Sequence, residues 1–260
     1  MALKYINYGY RVVVTGLSFL FFALGGLVIG LIIYPLLKLF VPKKRQNRCG
    51  QSVIHWVFKL FSGFMQLVGI FTLRVENKNQ LFKPTQLFIA NHPTLIDVVI
   101  LLSLIKKSDC VVKADLAKNP FTKGPLLTAG YIINKSPEAL IEGCTAALSS
   151  GHNLLIFPEG TRTKDLSQLK FKRGAAIIAA TSHHPITPIT IECKPRMLAK
   201  GQKWYKIPPI KPHYVIKVGM PMAFHGDFHR DMPLSMTSRK INHKVLTHYI
   251  KELSIGKINQ

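Results

Sequence analysis

Leu87-Phe88-Ile89-Ala90-Asn91-His92-Pro93-Thr94-Leu95-Ile96-Asp97 joins one short apolar run to the head of another, Val98 to Leu104. Leu87 to Ala90 is too short for a helix and reads as a buried strand, so the chain passes from strand to helix around His92. On one continuous helix His92 and Asp97 would lie about 140° apart, at roughly 100° per residue. Pro93 supplies a bend: it suits the first helical position and leaves His92 near the N-cap. From there the imidazole can swing back to Asp97, with one ring nitrogen held by the carboxylate and the other open to a proton. The same spacing also fits an ordinary helix cap with a solvated first turn, so this run does not decide the chemistry alone.

A second run adds weight. Asn153 to Phe157 reads as a buried strand stopped by Pro158, and Glu159-Gly160-Thr161-Arg162 follows as a loop. Gly permits an unusual backbone angle there and Arg offers a planar fork, a combination suited to phosphate. Further strands are expected at 110–113, 132–133, 186–191 and 214–218. Helices are expected at 138–148 and 174–180, the first opened by Pro137. This alternation implies an α/β fold, a wound mixed sheet flanked by helices. Pro120, Gly124 and Pro125 read as a loop, and the proline-rich 195–212 reads as an irregular loop carrying Trp204 and Tyr205.

The two runs together resemble the lysophospholipid acyltransferase family, whose first motif is N-H-x-x-x-x-D and whose third is F-P-E-G-T-R. Both are complete here, as Asn91 to Asp97 and Phe157 to Arg162. Two weaker blocks stand in order, Gly130 to Lys135 and Ile186 to Ile191. The resemblance implies that His92 is a general base oriented by Asp97. It also implies that Glu159, Gly160, Thr161 and Arg162 hold a glycerol phosphate, with Lys172 or Arg173 adding charge and Pro188 shaping the pocket wall. The second block departs from the family: Asn134 stands where an Arg is usual, and Lys135 follows it. Lysine lacks the bidentate geometry of arginine, so the acceptor is less defined than the reaction. The implied reaction moves an acyl group from acyl-CoA or acyl-carrier protein to a lysophospholipid, with 1-acyl-glycerol-3-phosphate the leading acceptor. Another lysolipid, or a non-catalytic adaptor for anionic lipid, is the alternative.

From Val12 to Leu37 there are 26 residues without a charged side chain, and 17 of them are Val, Ile, Leu or Phe. At about 1.5 Å per residue that run reaches roughly 39 Å, against a hydrocarbon thickness near 30 Å. It is too long for the apolar core of a signal peptide, and no small-residue cleavage site follows. Lys38, Lys43, Lys44, Arg45 and Arg48 follow it, whereas Lys4 and Arg11 precede it, which places the remainder at the cytoplasmic face of the inner or plasma membrane. The next helix sets Ser52, His55, Lys59, Ser62 and Gln66 among apolar residues, so residues 1–48 and 49–70 form either a crossing or a hairpin in one leaflet. Residues 71–225 then form the catalytic domain, and 226–260 a C-terminal helix patterned by Met236, Ile241, Val245, Tyr249 and Leu253.

The chain is 48% hydrophobic and 18% charged with a formal net charge of +23, a balance suited to an anionic membrane surface. Nucleic acid is not expected as a partner, because no zinc-finger, RNA-recognition or basic-zipper pattern occurs. Cys49, Cys110, Cys144 and Cys193 lack metal spacing, and His183-His184 lacks a chelating neighbour, so neither metal nor cofactor is expected beyond the thioester co-substrate. No nucleophile-elbow serine, Walker loop or dinucleotide fingerprint is present.

Overall fold

The computed structural model describes residues 2–163, 165, 169–224 and 232–258. Its strands are β1 (Thr72–Glu76), β2 (Leu87–Ala90), β3 (Ser108–Lys113), β4 (Ile132–Asn134), β5 (Asn153–Ile156), β6 (Ile186–Lys194) and β7 (His213–Val218). They form one sheet in the order β1-β7-β6-β2-β5-β3-β4. β6, β2, β5, β3 and β4 are parallel, β7 runs antiparallel to β6, and β1 runs parallel to β7. The sheet is therefore wound and mixed as expected, with β1 as an additional strand.

All four residues of β2 are buried, as a strand covered on both faces requires. The period of two sorts them. Phe88 and Ala90 join Ile100, Leu101, Ile54 and Phe58 in one core, and Leu87 and Ile89 join Ile178, Val245 and Tyr249 in the other. The first core is covered by α3 (Lys43–Leu67) and α4 (Asp97–Leu104), the second by α6 (Pro137–Ser149), α7 (Gly174–Ser182) and α8 (Leu234–Ile258). Helix α6 opens as expected: Pro137 sits in its first turn and the Ser136 hydroxyl accepts from Ala139 N at 3.3 Å.

Two expectations need correction. Residues 120–125 are not a loop, because α5 (Pro120–Ala129) starts there, capped by Asn119 Oδ1 accepting from Phe121 N at 2.9 Å. Pro125 lies inside it and has no N–H for the Phe121 carbonyl four residues back. That carbonyl instead faces Gly26, where a Cβ would stand 1.9 Å from the oxygen. Nor does Pro93 open α4: the helix begins at Asp97, and Pro93 to Ile96 form the approach to it.

The N-terminal apolar segment is α1 (Ala2–Val28), a π-helical turn over Ile29–Ile33, and α2 (Tyr34–Phe40). One side of it lies along the domain. Phe22 stacks on Phe58 of α3 with centroids 6.2 Å apart, Phe19 meets Trp204 at 6.1 Å, and Gly30 meets Gly124 of α5 backbone to backbone. The other side exposes Leu17, Leu20, Phe21, Leu24, Leu31 and Leu39. Helix α3 reverses the arrangement of a soluble amphipathic helix at several positions. His55 and Ser62 of its polar stripe are buried, Ser52 and Gln66 are half-buried and Lys59 is exposed; Gln51 beside the stripe is buried, while Trp56, Leu60 and Leu67 are exposed. His55 Nδ1 lies 3.0 Å from the Leu102 carbonyl of α4 and so serves the packing of α3 on that helix.

Candidate active site

Parallel strands deliver their C-terminal ends to one edge of a sheet, where crossing loops leave room for ligands. Here β2 delivers Asn91-His92, β5 delivers Phe157 to Arg162, β3 ends at Lys113 and β4 at Asn134, directly before Lys135. The neighbours β2–β5, β5–β3 and β3–β4 thus line up both complete motifs and two lysines on one edge.

Asn91 is fully buried and continues the sheet with its side chain. Its amide donates to the Ile191 carbonyl at 2.9 Å and its oxygen accepts from Ile191 N at 2.7 Å, imitating a strand neighbour on β6. One step earlier the Tyr249 hydroxyl, reaching in from α8, bridges β2 and β6: it donates to the Ile89 carbonyl and accepts from Ile189 N at 3.0 Å. The strand end that carries His92 is consequently fastened from both sides.

His92 is then fixed through its backbone as well as its ring. Its N–H donates to Glu159 Oε1 at 2.9 Å and its carbonyl accepts from Thr163 N at 2.7 Å. The ring lies 4.5 Å from that of Phe157, and Nδ1 is 2.8 Å from Asp97 Oδ2. Asp97 is wholly inaccessible to solvent, and its other bonds explain how a carboxylate stays there. Oδ2 also accepts from Thr94 N at 2.7 Å, and Oδ1 accepts from the Thr94 hydroxyl at 2.5 Å. Thr94 in turn accepts from the Tyr214 hydroxyl of β7 at 2.7 Å. Tyr214, Thr94, Asp97 and His92 therefore form one buried chain of hydrogen bonds, and the committed Nδ1 leaves Nε2 to face a substrate.

Glu159 and Arg162, expected around a phosphate, are turned to the protein. The Glu159 carboxylate serves His92 N and the Thr163 hydroxyl, the latter at 2.7 Å. Burial raises its pKa, opposed by the Thr163 and His92 hydrogen bonds and by the charge of His92. Arg162 donates to the carbonyls of Leu198 at 2.9 Å and Ala199 at 3.2 Å. Gly160 takes the left-handed φ of +65° and has no side chain beside Lys172, whose Nζ stands 3.1 Å from where a Cβ would be. Thr161 is half-buried in the same loop, while Lys135, Lys172 and Arg173 are exposed. Sequence reasoning missed Lys113, Thr94, Thr163 and Tyr214. Lys113 had a signal, the end of an expected strand; Tyr214 had none, since 120 residues separate it from Thr94.

The strand order, the His–Asp pair and the loop after β5 define an acyltransferase-type domain. Residues 72–192 match the family model described as Acyltransferase. The chain is 26% identical over 221 residues to the chloroplastic 1-acyl-sn-glycerol-3-phosphate acyltransferase of Arabidopsis thaliana, covering 82% of this chain and 58% of that protein. It is 24% identical over 231 residues to the 1-acyl-sn-glycerol-3-phosphate acyltransferase of Helicobacter pylori, covering 86% and 90%. The chain thus spans less than two thirds of the plant relative and most of the bacterial one. Its fold is that of the 1-acyl-sn-glycerophosphate (LPA) acyltransferase PlsC from Thermotoga maritima, with a TM-score of 0.65, 20% identity, and coverage of 94% of this chain and 98% of that one.

Proposed function

We propose that the protein transfers a fatty acyl group from a thioester to the free hydroxyl of 1-acyl-glycerol-3-phosphate, forming phosphatidic acid. The observation that carries this reading is the imidazole of His92, pinned through both backbone groups and held at Nδ1 by a buried aspartate. His92 Nε2 takes the proton as the acceptor oxygen attacks the thioester carbonyl carbon. The C–S bond then breaks, and the imidazolium returns its proton to the departing thiolate. Asp97 keeps the ring in the tautomer that presents Nε2 and stabilises the imidazolium.

Phosphate recognition falls to Lys113, Lys135 and Lys172 on the same sheet edge, with Arg173 beside them. Glu159 is reassigned from substrate contact to positioning His92, since a carboxylate directed at a phosphate would repel it and this one has two donors of its own. Asn134 in place of Arg leaves room for a second acceptor within the lysophospholipid class. The donor is acyl-CoA or acyl-carrier protein. Helices α1 to α3 lie in the cytoplasmic leaflet without a free-standing crossing, because α1 runs along the domain while its far side and Trp56, Leu60 and Leu67 of α3 are exposed and apolar.

Purified protein should release thiol from acyl-CoA only when 1-acyl-glycerol-3-phosphate is added, with phosphatidic acid as the lipid product. A panel of lysolipids run with both donors fixes the acceptor. Lipid binding without thiol release from either donor would replace this reading with a membrane adaptor.

A further inference from the structure

We propose that residues 199–211, between β6 and β7, form a second contact with an anionic lipid leaflet, distinct in sequence from α1 to α3. The inference rests on the seating of α1 to α3 in a leaflet. The segment reads Ala199-Lys200-Gly201-Gln202-Lys203-Trp204-Tyr205-Lys206-Ile207-Pro208-Pro209-Ile210-Lys211, with four lysines and no acidic residue. Every one of those lysines is exposed, and so are Trp204, Tyr205 and Ile210, the last by 70%. Exposed aromatics with apolar bodies and polar edges, set among lysines, suit the boundary between headgroups and hydrocarbon.

The segment adjoins α1 along its flank. Trp204 packs on Gly16 and Phe19, both half-buried, at the border between the side of α1 that lies along the domain and the side that exposes Leu17, Leu20 and Phe21. Arg11, almost fully buried, fastens the far end of the segment by donating to the carbonyls of Pro208 at 3.1 Å, Pro209 at 3.3 Å and Ile210 at 3.5 Å. Within the segment, Gln202 Oε1 accepts from Ala199 N at 3.0 Å and its amide donates to the Lys206 carbonyl, which gives the turn a defined shape.

The base of the segment is gripped by both catalytic motifs. The Leu198 carbonyl accepts from Leu95 N at 3.1 Å and from Arg162 at 2.9 Å. A leaflet touching Trp204 is therefore held at a fixed height relative to His92, and the acceptor hydroxyl is presented from that leaflet. Arg162 acts here as a positioning residue between the lipid surface and the base.

The chain has two tryptophans, Trp56 on α3 and Trp204, so each single-tryptophan protein reports one site. Both are reconstituted in phosphatidylcholine vesicles containing phosphatidylglycerol, with bromine placed shallow or deep in the acyl chains. Trp204 in the W56F protein should be quenched, and more by shallow than by deep bromine. Trp56 quenched in the W204F protein with Trp204 unquenched would overturn the contact alone, leaving that face to water or to an acidic protein. Neither residue quenched would overturn the seating of α1 to α3 and the contact with it. As a second arm, the variant K203E/K206E/K211E should raise the apparent KM for 1-acyl-glycerol-3-phosphate in these vesicles by about threefold or more, and added salt should narrow the gap. Turnover of a short-chain acceptor dissolved below its micelle concentration should be unchanged. An equal loss on both acceptors would overturn a lipid role for the lysines.

Discussion

Two histidine–aspartate pairs in this molecule have the same local geometry and opposite settings. His92 Nδ1 meets Asp97 Oδ2 at 2.8 Å, and His152 Nδ1 meets Asp109 Oδ2 at 2.8 Å. The first stands at the C-terminal edge of the parallel strands. The second stands at the opposite edge, with Asp109 near the start of β3 and His152 just before β5. Asp97 is held by Thr94, whose hydroxyl is backed by Tyr214, and its histidine by Glu159 and Thr163. Asp109 is instead met by Gln51 of α3 at 2.7 Å, and Arg48 donates to Gln51 at 3.2 Å and to the Lys107 carbonyl at 2.8 Å. That second cluster staples α3 to the sheet. The distance within a pair thus says little about its work; the edge of the sheet and the groups behind the carboxylate separate a base from a brace.

The sharpest break between the pairs is expected on removing the carboxylate charge. Asp97→Asn should lower acyl transfer by about 10² or more, because the amide disturbs both the tautomer of His92 and the stabilisation of its imidazolium. Steady-state rates with circular dichroism as a folding control check this. Glu159→Ala frees the backbone of His92 and should cost up to about 10² through misplacement, with Glu159→Gln, which keeps an acceptor oxygen, losing less. Because burial raises the pKa of Glu159, the wild-type rate should fall on the acid side at higher pH than an exposed glutamate would give, and Glu159→Gln should lose that dependence. Tyr214→Phe keeps the ring and removes one bond from behind Thr94. It should lower kcat by about two- to tenfold at unchanged KM.

The brace should respond in stability and hardly in rate. Burial raises the pKa of Asp109, against the hydrogen bond and charge of His152, the charge of Arg48 and the hydrogen bond of Gln51. A carboxyl whose folded pKa is raised stabilises the fold below its unfolded value, and that stability is lost as pH rises through the raised one. Asp109→Asn removes the titration, so its urea midpoint should gain on wild type as pH rises above the ordinary carboxylate range, with acyl transfer within about twofold. A large rate loss at Asp109 would erase the distinction between the two edges.

Much of the site was legible because it is local. Strand, turn and aspartate follow one another within residues 87–97, and the loop after β5 within 157–162, so periodicity located the two strands, while the roles of His92 and Asp97 came with the family resemblance. What escaped depends on chain brought from afar. Glu159 reads as a pocket carboxylate until His92 N lies beside it, and Tyr249 reads as one face of a helix until its hydroxyl is seen between the Ile89 carbonyl and Ile189 N. The two prolines of α5 suggested a loop, but one starts the helix and the carbonyl freed by the other is covered by Gly26. The polar stripe of α3 was visible as a stripe; the burial of His55 and Ser62 within it was not, since amphipathicity does not say which solvent lies outside. Strand β1 is a short edge strand with little burial of its own and forms only against β7.

The most direct test compares His92→Ala with His152→Ala in one assay, thiol release from acyl-CoA dependent on 1-acyl-glycerol-3-phosphate, with both proteins shown to be folded. His92→Ala should lose about 10² to 10⁴ in rate and His152→Ala should stay near wild type. Turnover of His92→Ala within about tenfold of wild type, or equal losses in the two variants, would contradict the assignment of the base.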